Sequence, residues 1–253
     1  MDNHTINSII SLYTTGSGIE LTDTRISSAH PFETHYAPFD YINTRAKIAI
    51  CGLTPGKSQS KIALDSLKTS LSGNVEMDIA LKTAKETASF AGAMRSNLTL
   101  ILDYLKLNNL LDIKSCGDLF GSEKELVHYT SALRYPVLKN GKDYSGDSAI
   151  VNNSYLYGMV EKYLLEEIRA IPNCIWVPLG KGAQMTFQKL IDAGHIKPNF
   201  VLMGFPHPSG ANAERIKYFI GQKEKHLLSQ KVDPAKMDTA RAELTRKIEL
   251  LLG

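Results

Sequence analysis

Four short apolar runs most constrain what this chain can fold into. They are AKIAICGL (46–53), ELVHYTSALRYPVL (125–138), NCIWVPLG (173–180) and NFVLMGFPHPSG (199–210). The first is an apolar, partly β-branched run ending at Gly and reads as a buried strand; 125–138 reads as strand then turn, 173–180 as a strand ending at Gly180, and 199–210 as a strand running into a loop. Segments of helical period stand between and after them. Residues 86–112 carry Leu98, Ile101, Leu102 and Leu105, and residues 154–171 carry Leu156, Met159, Val160, Tyr163 and Leu164 on one face. KGAQMTFQKLIDAG (181–194) is a helix closed by Gly194. Strand alternating with helix predicts an α/β fold: a single-domain α/β/α sandwich built on a parallel sheet. In such sheets the ligand site lies beyond the carboxyl ends of the strands. Loops 52–58, 130–136, 180–184 and 205–212 are therefore the places to search for chemistry.

The remaining segments are read as accessories to that sheet. Residues 1–18 predict a short amphipathic helix. The aromatic stretch 29–45 is irregular because of its prolines. Residues 57–85, polar and rich in Ser and Lys, predict surface loop with helical pieces, and 141–154 predicts a loop. ANAERIKYFIGQKEKHLLSQ (211–230) predicts a helix. A last helix follows, with Asp233 as N-cap, Pro234 at its first turn, and Met237, Leu244 and Leu251 as a seven-residue packing stripe.

Composition narrows the function classes. Of 253 residues, 43% are hydrophobic and 22% charged, ordinary globular usage that argues against wholesale disorder. A net charge of +3 permits a polyanionic partner without demanding one. The three cysteines, Cys51, Cys116 and Cys174, form no CxxC pair, which points away from a zinc or iron–sulfur site and toward free thiols in a reducing cytoplasm. The N-terminus lacks a signal-peptide pattern and no run reaches membrane-span length. A cytoplasmic monomer without metal or cofactor is expected.

Two strand-end loops carry the candidate chemistry. GLTPGKS (52–58) approaches a phosphate-binding loop but has three residues between its glycines where the Walker pattern needs four. Pro55 also offers no N–H to a phosphate nest. In FPHPSGAN (205–212), His207 stands between two stiffening prolines. A rigidly held imidazole there can donate a hydrogen bond to a developing anion, or simply pack a turn. Ser209 and the following backbone N–H groups suit a phosphate.

Taken together, GLTPG after the first strand and HPSGAN after the last resemble the paired motifs of the uracil-DNA glycosylase superfamily. The resemblance runs on through SFAGAMR (89–95), YTSALRYP (129–136), WVPLGKGA (176–183) and the aromatic HPFETHYAPFDYI (30–42), in order, over about residues 30–220. It implies a uracil-glycosylase-like domain over 30–222, preceded by an N-terminal helical arm (1–29) and followed by a C-terminal helix (223–253) packing on the domain. It implies DNA, single- or double-stranded, as the partner and base flipping as the mode of access.

The resemblance also implies residue roles. Phe90 would stack on the flipped base, and His207 would stabilise the departing base anion through its O2 oxygen. Gly52, Leu53, Pro55, Gly56 and Ser131 would line the substrate pocket, with Thr54 as the second catalytic position. Lys57, Ser58, Ser209, Gly210, Asn212 and Arg215 would contact DNA. Three departures bend the expectation. Thr54 stands where many members have Asp or Asn to orient water, so Gln59, Asp143 and Asp147 are alternative polar groups. Ser131 stands where an Asn amide reads uracil, and one hydroxyl cannot make a bidentate pairing. Gly56 stands where uracil enzymes put a Tyr that excludes groups at C5.

The pattern therefore implies a monofunctional glycosylase for a C5-modified pyrimidine, such as a glucosylated hydroxymethylcytosine of phage DNA, serving antiphage defence. Tyr144, Ser145 and Asp147 are candidate partners for a sugar. A repair uracil-DNA glycosylase, a catalytically weak modified-base or nucleic-acid binding module, and a nucleotide-binding enzyme using GLTPGKS are the competing readings.

Overall fold

The computed structural model describes Ser8, Ile10, Ser11 and residues 20–252. Those first three residues are helical; the rest of the helix expected over 1–18 lies outside the described residues. Down the chain, β1 (Arg25–Ala29), β2 (Phe32–His35) and β3 (Ile48–Gly52) precede helices α1 (Lys57–Ser72), α2 (Met77–Ala88), α3 (Ala93–Tyr104) and α4 (Leu107–Leu111). Strands β4 (Val127–Ser131), β5 (Val137–Lys139) and β6 (Lys142–Asp143) follow. Then come α5 (Ala149–Asn152), α6 (Ser154–Met159), a π-helical turn (Val160–Leu164) and α7 (Leu165–Ala170). The chain closes with β7 (Ile175–Pro178), α8 (Gly180–Asp192), α9 (Ala213–Phe219) and α10 (Pro234–Leu252). The protein is α/β.

The chain divides into two compact units, one of residues 1–42, 53–89 and 129–166, the other of residues 43–52, 90–128 and 167–253. The first holds a four-stranded antiparallel sheet in the order β1–β2–β5–β6. The sequence patterns do not foresee this sheet. Residues 25–29, assigned there to a helical arm, are β1, and Phe32–His35 of the stretch read as irregular is β2. Strands of two to five residues carry too little alternation to be read, and their stability comes from neighbours.

In the first unit, residues 57–85, read as surface loop with helical pieces, are helical nearly throughout. They fold as α1 and α2, which bury Ser60, Ala63, Leu64 and Leu67 on one helix and Ala80, Ala84 and Ala88 on the other. Small residues at helical spacing let two helices approach closely while their remaining faces stay polar. A count of large apolar residues misses that. Tyr36, Leu67, Ala80, Ala84 and Tyr135 form one core cluster. The hydroxyls of Tyr36 and Tyr135 both donate to the Asp40 carboxylate, that of Tyr36 at 3.0 Å. Burial first, and the Asp40 charge second, raise both phenol pKa values. The π-turn has a specific partner as well: Arg134 donates to the Tyr163 carbonyl at 3.1 Å and to Glu166 at 2.9 Å.

A parallel three-stranded sheet has the order β4–β3–β7, with β3 and β7 in the second unit. β3 is buried along its whole length, as its unbroken apolar run predicts, and pairs with β7 from Ile48↔Ile175 to Cys51↔Pro178. The fourth strand expected over 199–210 shrinks to a single parallel bridge, Trp176↔Val201, with the Leu202 N–H donating to the Trp176 carbonyl at 2.8 Å. Gly204, at φ +103°, turns the backbone out of the extended region, and Pro206 and Pro208 have no N–H for a ladder.

Two helices also differ from their readings. The helix expected over 211–230 is confined to Ala213–Phe219. The last helix begins as expected, with Asp233 accepting from the Lys236 N–H at 3.2 Å, but its buried stripe is Leu244 and Ile248, one turn apart. A position on Gly204 where a side chain would start lies 2.9 Å from Ala240 Cβ, so α10 packs directly on that backbone.

Candidate active site

The GLTPG turn is held by its own unit from two sides. On one side it is sewn to the chain that leaves β4. The Leu133 N–H donates to the Leu53 carbonyl at 2.9 Å. The Thr54 hydroxyl donates to the Tyr135 carbonyl at 3.0 Å and accepts from the Val137 N–H at 3.0 Å. A threonine hydroxyl has one proton, and here it is committed. Thr54 can still accept from a water through its second lone pair, but it has no proton to give and no charge to offer. Its first role is structural.

On the other side the turn meets the β5–β6 hairpin and the loop after it. Gly146, at φ +85°, lies so near Leu53 that a side chain there would start 2.7 Å from Leu53 Cδ2. A side chain on Gly56 would start 3.2 Å from Asp143 Oδ2. The other oxygen of Asp143 accepts from the Lys57 N–H, the first of α1, at 3.1 Å. Lys57 Nζ donates to the Gly141 carbonyl at 2.8 Å. An internal carboxylate thus sits where a phosphate loop would hold its phosphate, and the lysine turns to a backbone oxygen. Together with Pro55, which is buried, this removes the chemical basis of the phosphate-loop likeness.

Other residues of the first unit fall as follows. Gln59 Oε1 accepts from the Gly56 N–H at 3.4 Å and Nε2 donates to the Ala88 carbonyl at 3.4 Å. Asp147 accepts from Lys139 at 2.9 Å, the Tyr144 hydroxyl at 2.8 Å and the Ala149 N–H at 2.8 Å, and the Lys139 ammonium is the largest cause of its lowered pKa. The Tyr144 hydroxyl also accepts from the Asp147 N–H at 3.1 Å, and Tyr144 is buried. Tyr144 and Asp147 therefore satisfy each other. Ser145 is exposed, and Ser131 stands half-buried at the end of β4. Lys57 and Ser58 line a groove of about 610 Å³ with Glu20, Leu21, Thr22, Lys61 and Leu64.

The His207 turn belongs to the second unit, as do Gly52 at the end of β3 and Phe90. Pro206 and Pro208 are buried, and His207 between them is half-buried. Asn97 Nδ2 donates to the Pro208 carbonyl at 2.8 Å. On Gly180, at φ +81°, a side chain would start 3.1 Å from His207 Cδ2, so only glycine leaves room for the ring. The Ser209 N–H donates to His207 Nδ1 at 3.2 Å. Nδ1 is then an acceptor, and in the neutral ring the proton is on Nε2. Burial lowers the pKa of His207 below its ordinary value, which favours that neutral form near pH 7. The turn therefore presents one fixed N–H donor.

The flanking residues brace this turn. Ser209 Oγ accepts from Asn212 Nδ2 at 2.9 Å, and Asn212 Oδ1 accepts from Arg215 Nη1 at 2.8 Å. Arg215 Nη2 donates to the Lys231 carbonyl at 2.7 Å. Asn212 and Arg215, expected at a phosphate, spend these groups on the fold, while Ser209 keeps its own proton to donate and Gly210 is exposed. Phe90, buried, adopts φ +51° just before α3, and Gly92 at φ +76° caps that helix. A bulky residue at positive φ stores about 1–3 kcal/mol of strain, and such strain clusters at functional sites.

Asn97, which braces the His207 turn, carries no readable sequence signal as a site residue, and Gly180 is legible only within the strand-end loop 180–184 and the WVPLGKGA likeness. Asp143 is legible only as one of three polar candidates near the turn. Among the described residues no three His, Cys, Asp or Glu side chains are grouped to hold a metal ion, and no helix is long and apolar enough to cross a membrane.

No family model matches the chain, and no solved structure matches it. It is 34% identical over 208 residues to the uncharacterized protein YoxB of Bacillus subtilis (strain 168), a similarity that covers 81% of each chain. A likeness of that extent makes the chain a member of the YoxB family.

Proposed function

We propose that the protein is a monofunctional DNA glycosylase with a uracil-DNA glycosylase-like fold, acting on an everted pyrimidine enlarged at C5. A glucosylated hydroxymethylcytosine of phage DNA is the substrate type, and antiphage defence by a cytoplasmic monomer is the setting. One observation carries the reading: His207 offers a fixed Nε2–H from a desolvated, neutral ring whose Nδ1 accepts from the Ser209 N–H. Cleavage of the N1–C1′ bond leaves the bonding pair on the base and positive charge on the sugar. A neutral N–H donor aimed at O2 stabilises the base anion without having to give up a proton, a form of catalysis by prepositioned dipoles. Phe90, of the same unit as His207, stacks on the base, and the preference for an enlarged base rests on the sequence resemblance, in which Gly56 stands where uracil enzymes carry a Tyr. Water adds to C1′, loses a proton to solvent and leaves an abasic site. No lysine stands in this scheme as a Schiff-base nucleophile, so strand cleavage is not part of the reaction.

Single-turnover incubation with DNA containing uracil, C5-methylated, C5-hydroxymethylated or glucosylated cytosine, followed by alkali and by mass spectrometry of released bases, tests the reading. Free base and alkali-labile sites are expected from at least one C5-enlarged substrate. Release from uracil DNA alone would make the protein a repair enzyme, and release from none would end the glycosylase reading. A catalytically weak modified-base binding module is the second reading. It is favoured by the committed Thr54 hydroxyl, which leaves that position without a proton or charge for water activation. That reading expects base-dependent DNA binding with no free base.

A further inference from the structure

We infer that Asn97 is a positioning residue for His207: through the peptide between Pro208 and Ser209 it holds the N–H that binds Nδ1, and so fixes the ring with its proton on Nε2. That this serves base release rests on the glycosylase reading above; the relay of hydrogen bonds does not depend on it. Asn97, His207, Pro208 and Ser209 all belong to the second unit. Asn97 stands half-buried on α3, and its Nδ2 donates to the Pro208 carbonyl at 2.8 Å. A carbonyl oxygen only accepts, so the amide must present its N–H there. The Ser209 N–H, which donates to His207 Nδ1 at 3.2 Å, is the other half of the same peptide.

Peptide planarity couples the two bonds. The Pro208 carbonyl and the Ser209 N–H lie in one rigid plane and point to opposite edges of it. Proline fixes φ at position 208, so ψ of Pro208 is the soft rotation on that side that would swing the N–H off Nδ1. The same rotation carries the carbonyl off Asn97. Each bond in such a chain also polarises the next. Donation to the carbonyl makes the Ser209 N–H a stronger donor, and donation to Nδ1 makes Nε2–H a stronger donor to a base anion. A second brace acts elsewhere. Gln184 Nε2, on α8, donates to the Phe205 carbonyl at 3.3 Å and to that of Pro178 at 3.5 Å, both ahead of His207 in the chain. A residue that merely steadies the turn in this way would leave the bond to Nδ1 alone.

The test follows the Ser209 amide and the His207 ring by NMR in the full chain, beside single-turnover base release from oligonucleotides carrying uracil or a C5-modified cytosine. Asn97→Leu, of similar size, and Asn97→Ala both remove the donor, so either suffices if the other does not fold. Gln184→Ala is the comparison. The loss of one ordinary hydrogen bond predicts that the Asn97 variants exchange the Ser209 amide about two- to tenfold faster. The His207 pKa should rise by about half to one pH unit, because an N–H facing Nδ1 opposes a second proton there. Base release should fall about tenfold with DNA affinity little changed. Gln184→Ala should leave the amide and the ring as in wild type. A Ser209 amide unprotected in wild type, Asn97 variants in which the amide, the pKa or the rate is unchanged, or equal shifts in Gln184→Ala would overturn the inference and leave the glycosylase reading intact. Shifts confined to the Asn97 variants, with no base released by wild type from any oligonucleotide, would end the glycosylase reading and the role of Asn97 in base release with it.

Discussion

The Thr54 turn and the His207 turn are both rigid, but they spend their polar groups differently. In the first, the hydroxyl both donates to and accepts from backbone, the lysine turns to a carbonyl, and the helix N-terminus holds a carboxylate of the same unit. In the second, the braces act on the backbone, on Nδ1 and among the side chains of Ser209, Asn212 and Arg215, and Nε2–H has no hydrogen-bond partner among the described residues. The lesson is that a rigid loop marks a reactive group only where rigidity leaves one donor or acceptor unspent. By that criterion the proposed reaction takes His207 as its reactive group and Thr54 as scaffold.

The comparison breaks first on His207→Ala. Removing one prepositioned donor should lower single-turnover excision by about 10²–10³-fold with little change in thermal midpoint. A rate within a few-fold of wild type would take His207 out of the reaction. Gly180→Ala comes next. The new methyl presses on the imidazole and the residue must hold φ +81°, so excision should fall about tenfold with a loss of roughly 1–2 kcal/mol of stability. Activity and stability both at wild-type level would mean the ring is not pinned by that glycine.

Thr54→Val probes the other turn. It leaves the Tyr135 carbonyl and the Val137 N–H without their partner, costing about 1–3 kcal/mol in urea unfolding, while Thr54→Ser should keep most of the stability. If Thr54 is scaffold, excision per folded molecule changes only a few-fold; a collapse of the rate at unchanged stability would make it catalytic. The smallest effect is in pH. Burial lowers the His207 pKa, so the reactive neutral ring persists below 6.5, the ordinary histidine value. The excision rate should stay flat as pH falls through 6.5 and decline only at lower pH. For stability the sign is the same: the unfolded chain takes the proton first, so this residue's contribution is complete above 6.5 and is lost as pH falls below it. A rate already halved at pH 6.5 would contradict a depressed pKa.

Legibility in the sequence followed pattern strength. β3 and β7 stand where unbroken apolar runs predict them, and Leu98, Ile101 and Leu102 are buried on α3 as their spacing predicts. The helix after β7 ends as Gly194 signals, at φ +74°. The antiparallel sheet and the α1–α2 pair escaped because two-to-five-residue strands and alanine-lined helices depend on partners distant in sequence. At the site, His207 was legible because two prolines frame it. The commitment of the Thr54 hydroxyl and the position of Asp143 were not, because their partners come from residues about 80 to 90 positions away.

By itself the sequence determined the α/β class, the buried β3 and β7, the stiffened His207 turn and the missing residue in the phosphate-loop pattern. Those are properties of local pattern: period, chain stiffness and the count of N–H groups. Only the tertiary structure decided which polar groups are spent. The Thr54 proton goes to Tyr135, Asp143 goes to the start of α1, and Nδ1 of His207 accepts so that Nε2 can donate. A hydrogen bond belongs to two partners at about 3 Å, and the chain sets that distance only after it has folded.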